Sequence, residues 1–263
     1  MPRISDAFAT AKETGRSALI TYIMGGDPEP ARFIEYAAAV ARHTDVLEVG
    51  IPFSDPIADG PTIQAASVRA LASGTRVATV IEGCASLSHE VPVVIMCYYN
   101  TVHRFGEERF AAWLSTSEIA GLIVPDLPLE LSRHLSKVCR RYGIDLVLLA
   151  SPATSNERAR KIAGSTAGFL YLLSRYGVTG ERASLPEGIV QLVHRYKEIS
   201  SQPVAVGFGI STKEHVHALV SAGADGVIVG SAVVSRIAER TPSMEIASFV
   251  SELRASTVIS PAL

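Results

Sequence analysis

Apolar residues in this chain fall into short runs separated by longer stretches with helical periodicity, and this alternation continues from residue 18 nearly to the end. The runs are 18–24 (ALITYIM), 46–51 (VLEVGI), 91–98 (VPVVIMCY), 121–125 (GLIVP), 145–150 (DLVLLA), 169–174 (FLYLLS), 203–208 (PVAVGF) and 226–229 (GVIV). Most are apolar at successive positions, the pattern of parallel strands covered on both faces. Amphipathic segments lie between them. The clearest is 129–142, where Leu131, Leu135, Val138, Cys139 and Tyr142 recur at helical spacing and Gly143 supplies the stop. Thr154 with Glu157, Ser184 with Glu187 and Ser211 with Glu214 fit the capping box and predict helix starts, while Gly15, Gly74 and Gly223 predict helix ends. The opening MPRISDAFATAKETG lacks an apolar core and reads as an amphipathic helix, not a signal peptide.

Eight such strand–helix units predict one (β/α)8 TIM barrel over residues 1–263. It carries an extra N-terminal helix and a short extra helix, beginning near Ser231, before the last one. No Pro/Gly/Ser-rich linker marks a boundary, and the residues after about Arg254 read as a fraying tail.

Composition agrees with a large core: 48% apolar, 19% charged, mean hydropathy +0.26. The net charge of −2 without a basic stripe argues against nucleic acid and anionic membranes as partners. No apolar run approaches the ~20 residues of a membrane span, so a soluble protein is expected, and the opening segment's not reading as a signal peptide predicts the cytoplasm. Cys84, Cys97 and Cys139 form no C-x-x-C pair and read as reduced packing residues.

In a barrel of this kind, chemistry sits where strands end and βα loops begin. The loops FSDPIADGPT and RYGVTGERAS, after the second and sixth strands, are the longest and are the candidate lids. Glu48 interrupts an apolar strand, where a carboxylate must be paired or used. A structural ion pair with a neighbouring arginine is one reading; a proton-transferring acid of raised pKa is the other, favoured by the carboxylate-rich loop that follows. Asp55 and Asp59 on that loop read as turn formers or, for Asp59, as a ligand for a substrate donor group. Gly177 and Gly180, GFGIS at 207–211 and GSA at 230–232 end three consecutive strands and offer backbone N–H groups to a phosphate. The five lysines, Lys12, Lys137, Lys161, Lys197 and Lys213, all fall in helical segments, which disfavours a Schiff-base aldolase. His215 and His217 are two apart on a helix and only His103 reads as a βα-loop residue, so no metal cage is expected. Acid–base chemistry by carboxylates on a phosphorylated small molecule is what these residues point to.

The run LEVGIPFSDPIADGPTIQ at 47–64 resembles the signature of the tryptophan synthase α chain family. The resemblance extends through GDP at 26–28, YYN at 98–100, VPDLPLE at 124–130, LLSRYGVTG at 172–180, VGFGIS at 206–211 and IVGSA at 228–232, in the family's order. It implies retro-aldol cleavage of indole-3-glycerol phosphate to indole and glyceraldehyde 3-phosphate without a cofactor in this chain. By motif match, Glu48 is the general acid/base and Asp59 accepts from the indole N–H. Tyr22, Met96, Tyr98 and Tyr171 line the indole pocket or touch substrate, with Thr179 on the mobile loop, and Gly180, Gly209, Gly230 and Ser231 hold phosphate. The resemblance also implies a pyridoxal-phosphate (PLP) β chain as partner in an α2β2 assembly, contacted through Pro52, Asp55, Asn100 and Pro128. Tyr176, Thr101 and Met24–Gly25 depart from the family's usual residues and bear on loop closure and coupling. Two alternatives stand beside this reading: an α-like subunit that acts mainly as an allosteric partner of the β chain, and a sugar-phosphate isomerase or epimerase.

Overall fold

The computed structural model describes residues 3–174, 188–207 and 209–259. Every one of the eight apolar runs contains a strand: β1 (Ala18–Met24), β2 (Val46–Gly50), β3 (Val93–Met96), β4 (Gly121–Ile123), β5 (Asp145–Ala150), β6 (Leu170–Leu173), β7 (Val204–Gly207) and β8 (Gly226–Val229). They pair in parallel in sequence order, and β8 returns to β1 to close a barrel. The third run is trimmed at its start because Pro92 has no N–H for the ladder; its carbonyl still accepts from Leu47 N at 3.0 Å.

Helix α1 (Ile4–Glu13) precedes β1, and α2 (Pro30–Ala41) follows it. The connections after β2 and β3 each hold two helices, α3 (Pro61–Ala72) with α4 (Val77–Ala85), and α5 (Tyr99–Phe105) with α6 (Glu107–Thr116). Single helices then follow in turn: α7 (Arg133–Arg141), α8 (Asn156–Ala163), α9 (Ile189–Ile199) and α10 (Lys213–Ser221). The chain closes with the short α11 (Ser231–Ala238) and with α12 (Ser243–Ala255). The doubled helices after β2 and β3 go beyond the regular alternation. They also correct one placement, since His103 lies on α5 and not in a loop.

Strand alternation sorts the core into two layers. Ile20, Val46, Val94, Val147, Phe169 and Ala205 fill the barrel, with Phe8 of α1 entering from below to meet Phe169 at a ring separation of 5.7 Å. Leu19, Leu47, Val49, Ile95, Leu172 and Val206 face outward against the helices. Because both layers are apolar, the alternation is invisible in the hydropathy pattern.

Three local expectations need correction. The helix expected over 129–142 starts at Arg133, after a turn in which Leu131 N and Ser132 N bond to Pro128 O, and this leaves Leu131 68% exposed. Two caps sit one residue later than the capping-box reading, at Ser155 and Thr212, whose hydroxyls accept from Arg158 N and His215 N. In both places adjacent hydroxyl residues offer equivalent caps, and Thr154 Oγ1 is taken by Ser151 N at 3.1 Å. The third box, at Ser184, lies outside the described residues. Lastly, the segment after Arg254 is held down as far as Ile259. Ser17 N donates to Thr257 O and Ile259 N to Gly15 O, both at 2.9 Å, and Thr257 is fully buried.

Candidate active site

On β2, Glu48 follows Val46 on the inward face, in register with Tyr22 of β1 and Val94 of β3. Its side chain is buried and its Oε2 has no hydrogen-bond partner. The structural ion pairs that were the alternative for Glu48 are made by other acids. Asp27, after β1, takes Arg69 Nε and Nη2 of α3 at 2.8 Å each, and Asp45, just before β2, takes Arg16 and Arg254. Burial, reinforced by the nearby Asp59 charge, pushes the Glu48 carboxyl up from the usual 4.5 to about 8.

Beyond Glu48 the strand runs into Gly50, where a Cβ would stand 2.1 Å from the Tyr22 hydroxyl; only glycine lets that ring lie over the strand end. The chain then forms the loop 51–60, which is braced from three sides. Ser67 Oγ on α3 both accepts from Phe53 N and donates to Phe53 O, each at 2.8 Å. Phe53 stacks on Tyr98 at 5.0 Å, and Gln64 Nε2 donates to Asp59 O at 2.9 Å. The Tyr98 hydroxyl accepts from Ala58 N at 2.9 Å and donates to Asp59 Oδ2 at 3.0 Å. Burial raises the Asp59 carboxyl to about 6, with the Tyr98 hydrogen bond opposing the rise. Between roughly pH 6 and 8, then, the barrel mouth holds one neutral acid and one carboxylate.

The two acids open onto a cavity of about 350 Å³, within the size range of small-molecule sites. Its walls are largely apolar, with Tyr22, Met96 and Tyr171 among them, while Gly209, Gly230 and Ser231 stand at one side. Gly209 adopts a φ of +76°. Helix α11 starts at Ser231 beside the cavity, and its first helical bonds run from Val233 N and Val234 N to Gly230 O, so the Ser231 and Ala232 N–H groups precede them at the positive end of the helix. Tyr98 stands behind Asp59 in the loop bracing. Thr179, Gly180, Gly177 and Tyr176 lie outside the described residues.

The positions named for partner contact lie around the same C-terminal end of the barrel. Asp55, Asn100 and Pro128 are exposed, and Pro52 is buried. The departure at Met24–Gly25 has a packing cause: a Cβ on Gly25 would meet Val80 Cγ1 at 2.5 Å and Gly50 O at 2.9 Å. Ile57, Ala58, Ile63, Pro125, Leu149, Leu173 and Ile228 also line the cavity without having been named from the sequence. Period two along the strands is the signal that finds two of them, since Leu149 and Leu173 follow the inward Val147 and Tyr171. Among the described residues no three His, Cys, Asp or Glu side chains are grouped to hold a metal ion, and no helix is long and apolar enough to cross a membrane.

Comparison with known proteins gives a consistent result. The family model described as tryptophan synthase alpha chain matches residues 8–257. A tryptophan synthase alpha chain of Prochlorococcus marinus (strain MIT 9313) is 45% identical over 257 residues, covering 95% of this chain and 94% of that one. A solved tryptophan synthase structure from Mycobacterium tuberculosis superposes with a TM-score of 0.91 at 32% identity, covering 98% of this chain and 99% of that one. The tryptophan synthase a2b2 complex of Pyrococcus furiosus superposes with a TM-score of 0.84 at 38% identity, covering 92% and 98%.

Proposed function

The chain belongs to the tryptophan synthase alpha chain family, and from that membership we propose how its barrel mouth cleaves indole-3-glycerol phosphate to indole and glyceraldehyde 3-phosphate. The observation that carries the mechanism is the pair of buried carboxyls whose environments hold them in opposite protonation states near neutral pH. Glu48, neutral below about 8, delivers its proton to indole C3. Asp59, ionised above about 6, accepts the hydrogen bond of the indole N–H, which grows more acidic as C3 is protonated. The Glu48 carboxylate left behind takes the proton of the glycerol hydroxyl as the carbon–carbon bond breaks and the aldehyde forms, and this restores the starting state. Tyr22, Met96 and Tyr171 bound the indole ring, and exclusion of water around it keeps Glu48 protonated. The phosphate is held by backbone N–H groups at Gly209, Gly230 and Ser231 together with Gly180, while Thr179 is a substrate-binding residue; Gly180 and Thr179 lie outside the described residues.

The partner is a tryptophan synthase β chain in an α2β2 assembly, approached through Asp55, Asn100 and Pro128 at the barrel mouth, with Pro52 shaping the loop beneath. PLP belongs to that partner. Here all five lysines sit on helices and none lines the cavity. We place the protein in the cytoplasm. The test is indole release from indole-3-glycerol phosphate by the purified chain, with and without an added β chain. Turnover that the β chain raises is the expected result. A chain that stimulates the β chain while releasing no indole in the complex would leave it an allosteric subunit, and turnover of a pentose phosphate instead would make it an isomerase or epimerase.

A further inference from the structure

Helix α5 begins directly after the catalytic end of β3, and its N-cap residue, Tyr98, supplies no capping side chain. The cap comes from a different loop: Oδ1 of Asp126, in the turn after β4, accepts from Tyr99 N at 2.8 Å. An anion at this point meets the positive end of the helix as well as an N–H that has no partner within it. The residue whose backbone this bond adjoins is Tyr98, and the Tyr98 ring reaches 3.0 Å from Asp59 Oδ2 and 2.9 Å from Ala58 N while stacking on Phe53. The β4 turn and the Asp59 loop are thus connected through three consecutive links, Asp126 to Tyr99 N, Tyr99 to Tyr98, and Tyr98 to Asp59.

We propose that Asp126 is a positioning residue for the cleavage reaction, fixing the start of α5 so that the Tyr98 phenol stands where it holds Asp59. The proposal rests on the role given to Asp59 above. Asp126 itself is exposed and touches neither the cavity nor the carboxylates, so it acts through Tyr98 alone. Without the cap, the first turn of α5 loosens, the phenol drifts, and Asp59 loses the Tyr98 hydrogen bond that opposes its desolvation. Misplacement of such a group by about 1 Å costs up to about 10²-fold in rate. Among the described residues the titratable groups facing Asp59 are Tyr98, Glu48 on β2, Tyr22 on β1 and Tyr171 on β6; Asp126→Ala removes a charge that helps raise the Tyr98 phenol, the weakest of its influences, and acts on none of the other three.

The experiment compares Asp126→Ala and Asp126→Asn with the wild-type chain in two readouts. The first is the titration of Asp59 in the free chain by carboxyl-13C NMR, assigned with Asp59→Asn. The second is the acid limb of kcat/KM for indole-3-glycerol phosphate. Asp126→Ala is expected to move both the Asp59 titration and the acid limb upward from about 6 and to lower kcat/KM at neutral pH by about tenfold. Asp126→Asn keeps the accepting oxygen and is expected to stay within about twofold of wild type. Unchanged Asp59 titration and acid limb in Asp126→Ala would overturn the proposal, as would an Asp126→Asn variant as impaired as Asp126→Ala. Should the wild-type chain release no indole, the proposed activity falls while the Asp59 titration still decides the role of Asp126.

Discussion

Asp45, just before β2, and Glu48, at the middle of that strand and facing the mouth, stand three residues apart, both buried, and the protein treats them in opposite ways. Asp45, at the N-terminal end, is pushed up by burial, but Arg16, the Leu19 N–H and Arg254 together hold it below the usual carboxylate range. Glu48, facing the mouth, has an oxygen with no partner and is left to burial and the Asp59 charge. The closed end of the barrel satisfies its acid and gains stability from it. The open end withholds satisfaction, and the resulting neutral acid is what the reaction needs. The same polarity runs through the whole fold: α1 plugs the lower end with Ile4 and Phe8, while the upper end holds the cavity.

The largest effect that would test this contrast is at Glu48. Glu48→Gln keeps the shape and removes the proton, so indole release is expected to fall by about 10³-fold while the fold is retained. Turnover near wild type would end the assignment of Glu48 as the acid. Removing the acid at the other end is expected to do the reverse: Asp45→Ala leaves Arg16, Arg254 and Leu19 N facing one another, costing about 2–3 kcal/mol after allowance for the partly exposed Arg254. Urea unfolding reads that loss, and kcat of the folded fraction should stay within about twofold of wild type. A variant that loses activity without losing stability would show that the two ends are not separate in function.

Stability against pH separates the two acids again. The Glu48 carboxyl titrates higher in the folded chain than in the unfolded one. Between 4.5 and about 8 the native state therefore holds a proton that the unfolded state releases, and stability falls as pH rises through that window. The slope from this group is at most about 1.4 kcal/mol per pH unit. Asp45 titrates lower when folded, so its contribution is present above 3.8 and is lost as pH falls through its folded value. The expected result is that Glu48→Gln flattens the alkaline decline in the urea midpoint between pH 5 and 9 without changing the acid side. An unaltered alkaline slope would mean that Glu48 is ionised in the native state.

Much of this was legible in the sequence, and what was not has identifiable causes. All eight strands and the barrel follow from apolar runs separated by amphipathic segments. Glu48 and Asp59 stand out because a charge in an apolar strand, and an acid in the loop after it, break the local pattern. The apolar lining was not read from hydropathy, because inward and outward positions are equally hydrophobic; only period two counted from a known inward residue reaches Leu149 and Leu173. Leu131 misled because it fell in phase with the α7 stripe, yet Pro128 sets a turn there. The hydroxyl pairs Thr154–Ser155 and Ser211–Thr212 left the capping residue undetermined by one position. The tail beyond Arg254 looked free because its restraints, Thr257 on Ser17 and Ile259 on Gly15, are backbone bonds that carry no side-chain signature.

That pinned tail offers the smallest and sharpest probe of the closed end. Arg254 is the last residue but one of α12, and it reaches Asp45 Oδ1 at 2.8 Å while Arg16 binds both oxygens from the other side. If Asp45 is held by redundant partners, removing one cation should cost little, because Arg16 and Leu19 N still satisfy the carboxylate. Arg254→Met keeps the aliphatic stem and also removes a buried Nε that has no partner, which offsets part of the loss. The expected change is a destabilisation of about 1 kcal/mol or less in urea unfolding, shrinking at high salt, with indole release unaltered. A loss as large as that of Asp45→Ala would mean that the C-terminal helix, not Arg16, carries the lower end of the barrel, and the contrast between the two acids would then rest on α12 docking instead of on charge satisfaction.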